Sequence, residues 1–238
     1  MCVIAICIDK RVPEDEFKEA FRINKDGAGF AWRTDTNVRY IKGLMNVEEA
    51  WMAYQREVPA GIFPHVVHFR QGSPVVPDLT HPFICNEESD LILNYEGNES
   101  LLFHNGVVGL WKDKLLDLFL RRGKIIEGEW SDTRMVACMI HDVGKDVLKW
   151  IEGKYVYYNM VDCNFWGSWE KKEEGIIWSN RSYVPAKNYY PKKVKNAYTP
   201  VENLFKKKDE YKNDPIKDID YGHLNSIEDL RNGMEFMV

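Results

Sequence analysis

The sequence lacks the signals of membrane insertion, secretion and nucleic-acid binding. No apolar run approaches the length that a bilayer-spanning helix needs. The N-terminus has no basic region followed by an apolar core and a small-residue cleavage site, and charged residues already occur between Asp9 and Glu16, so we expect no signal peptide. The formal net charge of -5 favours neither nucleic acid nor a membrane surface as a partner. These absences predict a soluble, cytoplasmic protein.

Cysteine is scarce and scattered. The chain has five cysteines and no CxxC pair: Cys2, Cys7, Cys85, Cys138 and Cys163. An odd number of widely spaced cysteines argues against a disulfide framework and against a zinc site, and it fits a reducing cytosol. We also predict no bound metal and no cofactor.

Apolar and aromatic residues, in contrast, are plentiful. They make up 45% and 13% of the 238 residues, enough for a substantial core, and no internal repeat divides the chain. Near Pro185 the composition shifts to charged clusters such as KKKDEYKND. We therefore predict one domain over residues 2–185 and a charged C-terminal arm over 186–238. The arm is expected to be extended or partly disordered, with a short helix near its end.

Hydrophobic periodicity predicts strands and helices that alternate through the domain. The predicted strands are 2–8, a segment within 26–35, 65–70 and several segments from 154 onward; the predicted helices are 13–24, 47–57, 113–122 and one capped by Ser131. The stretch LLFHNGVVG (101–109) is typical of a strand, a turn and a second strand. The order lacks the regular alternation of parallel-sheet folds, so we expect sheets packed against helices.

The stretch MCVIAICIDK at the start of the chain permits two interpretations of Cys2. Cysteine is among the most buried residue types, so Cys2 could be the first small apolar residue of a buried strand. Removal of Met1 would instead place a thiol beside a free α-amine. This stretch alone does not decide between the two interpretations of Cys2. The decision depends on whether other segments of the chain supply the remaining residues of a catalytic site.

Four short motifs follow Cys2 in a particular order. They are DGAGFAW (26–32), HFRQGS with THPF (68–73 and 80–83), FHNG (103–106) and SDT (131–133). With these motifs, residues 2–181 resemble the class II glutamine amidotransferases, which are N-terminal-nucleophile (Ntn) hydrolases with a cysteine as first mature residue. The resemblance implies an α+β fold, namely a four-layer αββα sandwich with two mostly antiparallel sheets between helices.

The resemblance also implies a role for each motif. Cys2 would be the nucleophile, with its own α-amine as the base, and would form a thioester with the side-chain acyl group of glutamine. The side-chain amide of Asn105 and the backbone N–H of Gly106 would form the oxyanion hole. Arg70 would bind the substrate α-carboxylate and Asp132 the α-ammonium.

Two further residues are assigned to substrate binding. Ser73 could replace a threonine hydroxyl of the family, and His81 matches a position near the family's substrate loop, where positioning is expected rather than proton transfer. His68 is expected to be a hydrogen-bonded structural residue. The SNRS stretch (179–182) corresponds to a late strand close to the site and is expected to be scaffold.

Each motif also has a simpler explanation on its own. Asn105-Gly106 is one of the commonest hairpin turns. Asp132 suits a helix N-terminus because its charge complements the macrodipole. Arg70 at a strand end could be an ordinary solvated charge.

Departures from the family pattern leave the activity open. Val3 stands where many members have glycine, and Gln71-Gly72-Ser73 replaces the usual residues after the arginine. The resemblance predicts an amidohydrolase that releases ammonia from glutamine; either the ammonia passes to a separate synthase partner or the hydrolysis is itself the function. The alternatives are a stand-alone γ-glutamyl amide hydrolase and a weakly catalytic binding or interaction protein on the same fold.

Overall fold

The computed structural model describes residues 2–171, 175–181, 183 and 184. Within these ranges the chain forms four α-helices and eleven strands. The helices are α1 (Glu14–Ile23), α2 (Val47–Glu57), α3 (Trp111–Arg122) and α4 (Asp132–Val143). Short 3-10 helices span Pro77–Leu79 and Lys145–Lys149. The predicted arm, 186–238, lies outside the described residues, so its structure stays a prediction.

The strands form two sheets. They are β1 (Val3–Cys7), β2 (Ala28–Arg33), β3 (Val38–Leu44), β4 (His65–Phe69), β5 (Phe83–Ile84), β6 (Asn94–Gly97), β7 (Leu101–Asn105), β8 (Lys154–Tyr158), β9 (Cys163–Trp166), β10 (Glu170–Lys171) and β11 (Ile176–Trp178). The larger sheet has the order β10-β11-β1-β4-β2-β3-β6, and the smaller has the order β5-β7-β8-β9. Every strand pair among the described residues is antiparallel.

Three apolar clusters join the sheets and helices into four layers. The first cluster packs α1 and α2, through residues such as Phe17 and Tyr54, against Val3 and Phe69 of the larger sheet. The second lies between the sheets and contains Ile4, Ile6, Val66, Leu101, Phe103 and Val156. The third packs Met135 and Val136 of α4 against Leu102 and Tyr155 of the smaller sheet. Alternate residues of a strand face opposite sides, so β1 contributes to two clusters. The predicted αββα sandwich is confirmed.

Capping side chains define where the helices begin. The Asn46 side chain accepts hydrogen bonds from the N–H groups of Glu48 and Glu49, and Ser131 Oγ accepts one from Arg134 N–H, as the sequence predicts. The prediction for Pro13 was wrong by one position. Its backbone is extended (φ -60°, ψ 151°), so it precedes α1 instead of forming its first turn.

The second strand predicted within 101–109 does not form. After β7 the chain makes turns over 106–110, and β7 pairs with β5 and β8 instead. The N–H of Val108, which a hairpin strand would direct to its partner, donates to Asp132 Oδ2 at 2.9 Å. The Asn105-Gly106 stretch is therefore tied to the start of α4 and does not form a hairpin.

Close approach of the THPF stretch to β2 leaves no room for a side chain at Gly29. A Cβ there would lie 2.1 Å from the carbonyl oxygen of His81 and 2.9 Å from Lys42 Cα. We expect Gly29→Ala to destabilise the fold by about 1–3 kcal/mol or more, because two backbone segments must separate. Gly61→Ala is the matched control, since a Cβ at Gly61 meets nothing within 4 Å. Urea denaturation of both variants tests this, and equal midpoints would contradict the packing described.

In the part of the chain that the structure describes, no helix has both the length and the apolar character required to traverse a bilayer.

Candidate active site

The register of β1 and β4 places Cys2 beside the residues that follow β4. Val3 pairs with Phe69, so Cys2 and Arg70 lie next to each other at one edge of the larger sheet. Cys2 Sγ lies 3.5 Å from the carbonyl oxygen of Gln71 and accepts a hydrogen bond from Gln71 N–H at 3.4 Å. The buried strand thus carries a partly exposed thiol at its end.

The end of β7 and the start of α4 meet at the same place. Asn105 is the last residue of β7, and Asp132 is the first residue of α4. The bond from Val108 N–H to Asp132 Oδ2 joins the two segments. Two sheets that pack face to face therefore bring together residues more than a hundred positions apart.

A cavity of about 210 Å³ opens between these segments. Six of the seven predicted site residues line it: Cys2, Arg70, Ser73, His81, Gly106 and Asp132. The thiol, the guanidinium group and the carboxylate thus share one concave site, as ligand binding requires.

Asn105, the seventh predicted residue, does not line the cavity. Its side chain is only 4% exposed, and Nδ2 donates to Ser179 Oγ at 2.9 Å, while Oδ1 is buried without a hydrogen-bond partner. Ser179 Oγ also accepts from Ile4 N–H at 2.9 Å, and Asn180 Nδ2 donates to the carbonyl oxygen of Cys2. The SNRS stretch therefore connects the strand of Cys2 with the strand of Asn105.

Arg70 is not the solvated charge that its position at a strand end allows. It is 5% exposed, and burial lowers the pKa of its guanidinium group. Nη1 donates to the carbonyl oxygen of Gly72, whose N–H in turn donates to Asp26 Oδ2. Asp26 thus holds the loop that carries Gln71 to Ser73. Asp26 is the first residue of the DGAGFAW motif, yet no role was predicted for it from the sequence.

Burial makes the Cys2 thiol a weak acid. Desolvation raises its pKa above the usual range, although the hydrogen bond from Gln71 N–H and the charge of Arg70 oppose the shift. At neutral pH the thiol is therefore protonated, and nucleophilic attack requires a base.

Two histidines line the cavity, but one nitrogen of each ring is hydrogen-bonded to Thr133 and the other is buried. His81 Nε2 and His104 Nδ1 lie 3.1 and 3.0 Å from Thr133 Oγ1. Their other nitrogens, His81 Nδ1 and His104 Nε2, are buried without partners. Burial lowers the pKa of His104 to about 4 and that of His81 well below its usual value. Neither ring presents a nitrogen to the cavity as a base for Cys2.

His68 has the structural role predicted for it. It is fully buried, and Nε2 donates to the carbonyl oxygen of His104 at 3.1 Å. Desolvation lowers its pKa to about 3, so the ring is neutral. It supports the strand that carries His104 and does not line the cavity.

Several residues of the cavity wall had no site role predicted from the sequence, among them His104, Thr133, Trp111 and Trp130. His104 belongs to the FHNG motif and Thr133 to the SDT motif, so the motifs themselves contained a signal for both residues. The two tryptophans carried no signal, because they lie at helix boundaries rather than in a motif. Across 2–171, 175–181, 183 and 184, no three acidic, histidine or cysteine side chains are grouped as a metal would require.

Comparisons with known proteins give a fold and nothing finer. The chain matches no protein-family model and no curated protein. It is similar to a structure of glutamine phosphoribosylpyrophosphate amidotransferase from B. subtilis complexed with ADP and GMP, with 15% identity over 75% of this chain and a TM-score of 0.50. It is also similar to a structure of the allosteric regulatory enzyme of purine biosynthesis, with 16% identity over 66% of this chain and a TM-score of 0.45.

The first of these similarities shows that this chain shares its fold with part of the B. subtilis protein. This chain spans 42% of the length of the B. subtilis protein and 34% of the second protein. The similarity therefore concerns one part of each larger chain.

Proposed function

We propose that this chain is a glutamine amidotransferase-type amidohydrolase that releases ammonia from glutamine through a Cys2 thioester. One observation carries the proposal. The cavity places a thiol, a buried guanidinium group and a helix-terminal carboxylate side by side, although the chain presents them at positions 2, 70 and 132. These are the groups needed to attack an amide and to hold the two charged ends of an α-amino acid.

The base in this proposal is the α-amine of Cys2 after removal of Met1. The thiol is protonated at neutral pH, and the unbonded nitrogens of the cavity-lining histidines are buried, so neither is exposed in the cavity as a base. An α-amine has a pKa of about 8, so a minor but useful fraction of it is neutral near pH 7 and able to accept the thiol proton. The value of kcat/KM should therefore rise with pH until this amine is deprotonated.

The reaction then follows from the groups around the cavity. Arg70 binds the α-carboxylate and Asp132 the α-ammonium of the substrate, with Ser73 and His81 lining the wall. The thiolate adds to the side-chain carbonyl carbon, and the Gly106 N–H stabilises the oxyanion. Asn105 is the second donor in this proposal; because it does not line the cavity, its Nδ2 group must turn from Ser179 toward the substrate to act. The C–N bond breaks, ammonia leaves with the proton returned from the α-amine, and water hydrolyses the thioester.

The decisive experiment measures the N-terminus and the chemistry together. Intact-mass spectrometry should show loss of Met1, and a glutamine-derived diazo-ketone should label Cys2 and stop ammonia release. Active protein that retains Met1 would contradict the role of the α-amine. Turnover of a γ-glutamyl conjugate without turnover of glutamine would favour the stand-alone hydrolase. Transfer of ammonia to a separate synthase stays a prediction.

A further inference from the structure

Three polar side chains converge on one hydroxyl group behind the cavity wall. Thr133 Oγ1 lies 3.1 Å from His81 Nε2, 3.0 Å from His104 Nδ1 and 3.2 Å from Asp132 Oδ1. Thr133 is 2% exposed, so water does not compete for these contacts. A hydroxyl group has one hydrogen to donate and two lone pairs that accept, which matches three partners.

The proton positions in this cluster follow from the chemistry of the partners. A carboxylate only accepts, so the Thr133 hydroxyl donates its hydrogen to Asp132 Oδ1. If that hydrogen pointed to a histidine instead, two oxygen acceptors would face each other in a buried site without a proton between them. Both histidines must therefore donate to Thr133 Oγ1. His81 then carries its proton on Nε2, and His104 carries its proton on Nδ1.

The burial of the remaining nitrogens agrees with this assignment. The nitrogens left without a partner, His81 Nδ1 and His104 Nε2, are then bare acceptors, which cost less to bury unpaired than N–H groups. The His104 ring is also fixed by packing. It stacks on Tyr155 with centroids 4.4 Å apart and planes within 6° of parallel, and a Cβ at Gly106 would come within 2.8 Å of Nε2.

The cluster leaves Asp132 one acceptor position for a ligand. Oδ1 accepts from Thr133 N–H at 2.7 Å and from the Thr133 hydroxyl, and Oδ2 accepts from Val108 N–H at 2.9 Å. A carboxylate has about four lone-pair sites, so these donors occupy most of them and fix the carboxylate plane. His104 Nδ1 is 3.8 Å from Asp132 Oδ2, too far for a hydrogen bond, and acts only through Thr133.

We infer that Thr133 is a positioning residue, whose hydroxyl group is held by His81 and His104 and aims the Asp132 carboxylate at the ammonium group of the substrate. The identity of that substrate group rests on the proposed function. The hydrogen-bond arrangement itself does not, because it follows from the described contacts alone.

The kinetic test compares two substrates that differ only in the ammonium group. Thr133→Val keeps the shape of the side chain and removes the hydroxyl, so KM for glutamine should rise about tenfold with little change in kcat. For 4-carbamoylbutanoate, which has the same amide and carboxylate but no ammonium, kcat/KM should not change. Thr133→Ser should recover most of the lost affinity. An equal loss with both substrates would mean that Thr133 is merely structural and would overturn the inference.

The second test needs neither turnover nor a variant. Long-range 1H–15N spectra of the wild-type histidines should show His81 with its proton on Nε2 and His104 with its proton on Nδ1. Either opposite tautomer would overturn the inference, even if glutamine is hydrolysed. A wild-type protein with these tautomers but no amidase activity would contradict the proposed function and leave the arrangement around Thr133 supported. For the kinetic test, Thr34→Val is the matched control of Thr133→Val, since Thr34 makes hydroxyl hydrogen bonds in a turn away from the cavity.

Discussion

Replacement of Cys2 with alanine is expected to reduce ammonia release from glutamine to the background rate. The proposed mechanism has a single nucleophile, and no other cysteine lines the cavity. Loss of a covalent nucleophile removes both half-reactions, so we expect a decrease of about a thousandfold or more in kcat. Steady-state ammonia assays on protein with verified N-termini measure this decrease.

The fold should tolerate this change. Cys2 precedes β1 and is only partly buried, and its backbone carbonyl rather than its thiol anchors Asn180. Cys163→Ala is the matched control, because Cys163 is also a partly buried thiol but lies on the edge strand β9. The control should retain full activity, and both variants should unfold close to the wild-type temperature. Equal ammonia release from Cys2→Ala and wild type would remove the nucleophile assignment.

Replacement of Asn105 with alanine is expected to lower kcat by about 10²–10³ while KM changes little, because an oxyanion donor acts mainly in the transition state. The cost to stability should be small, at most about 1 kcal/mol. The reason is that the variant loses the hydrogen bond to Ser179 but also removes Oδ1, a buried acceptor without a partner. Stopped assays with saturating glutamine and chemical denaturation give the two quantities.

Ser179→Ala distinguishes the role of Asn105 as an oxyanion donor from the role of the Asn105–Ser179 hydrogen bond in supporting β1. It leaves the Asn105 amide in place but removes the acceptor of both Asn105 Nδ2 and the buried N–H of Ile4. An unpaired buried N–H costs about 1–3 kcal/mol, so this variant should lose more stability than Asn105→Ala and much less activity. If Ser179→Ala lowers kcat as much as Asn105→Ala does, then Asn105 acts only through its position and not as a donor.

Much of the site was predictable because short motifs carry it. Cys2, Arg70, Ser73, His81, Gly106 and Asp132 were named from the sequence, and all six line one cavity. The assignment of their chemical roles stays a prediction. Local pattern also predicted the capping of α2 by Asn46 and of α4 by Ser131, since a cap depends on residues within one helical turn.

Local pattern failed where a distant segment supplied the partner. The stretch 101–109 has the periodicity and the Asn-Gly turn of a hairpin, yet Val108 N–H is bonded to Asp132 and β7 pairs with β8. Arg70 at a strand end could have been solvated, and only the packing of the loop after β4 buries it. In the first case the deciding contact joins residues 24 positions apart, and in the second the loop after β4 is held by Asp26, which lies 46 positions from Gly72.

The sequence by itself determined most of the elements and their apolar faces, because periodicity is a local property. Its resemblance to a known family named the candidate reactive groups, whose roles stay a prediction. Only the tertiary structure decided the state of those groups. Burial keeps the Cys2 thiol protonated, convergence on Thr133 commits the ring nitrogens of His81 and His104, and Ser179 holds the Asn105 amide behind the wall. Desolvation and hydrogen-bond partners depend on every neighbour in three dimensions, and a one-dimensional pattern does not contain them.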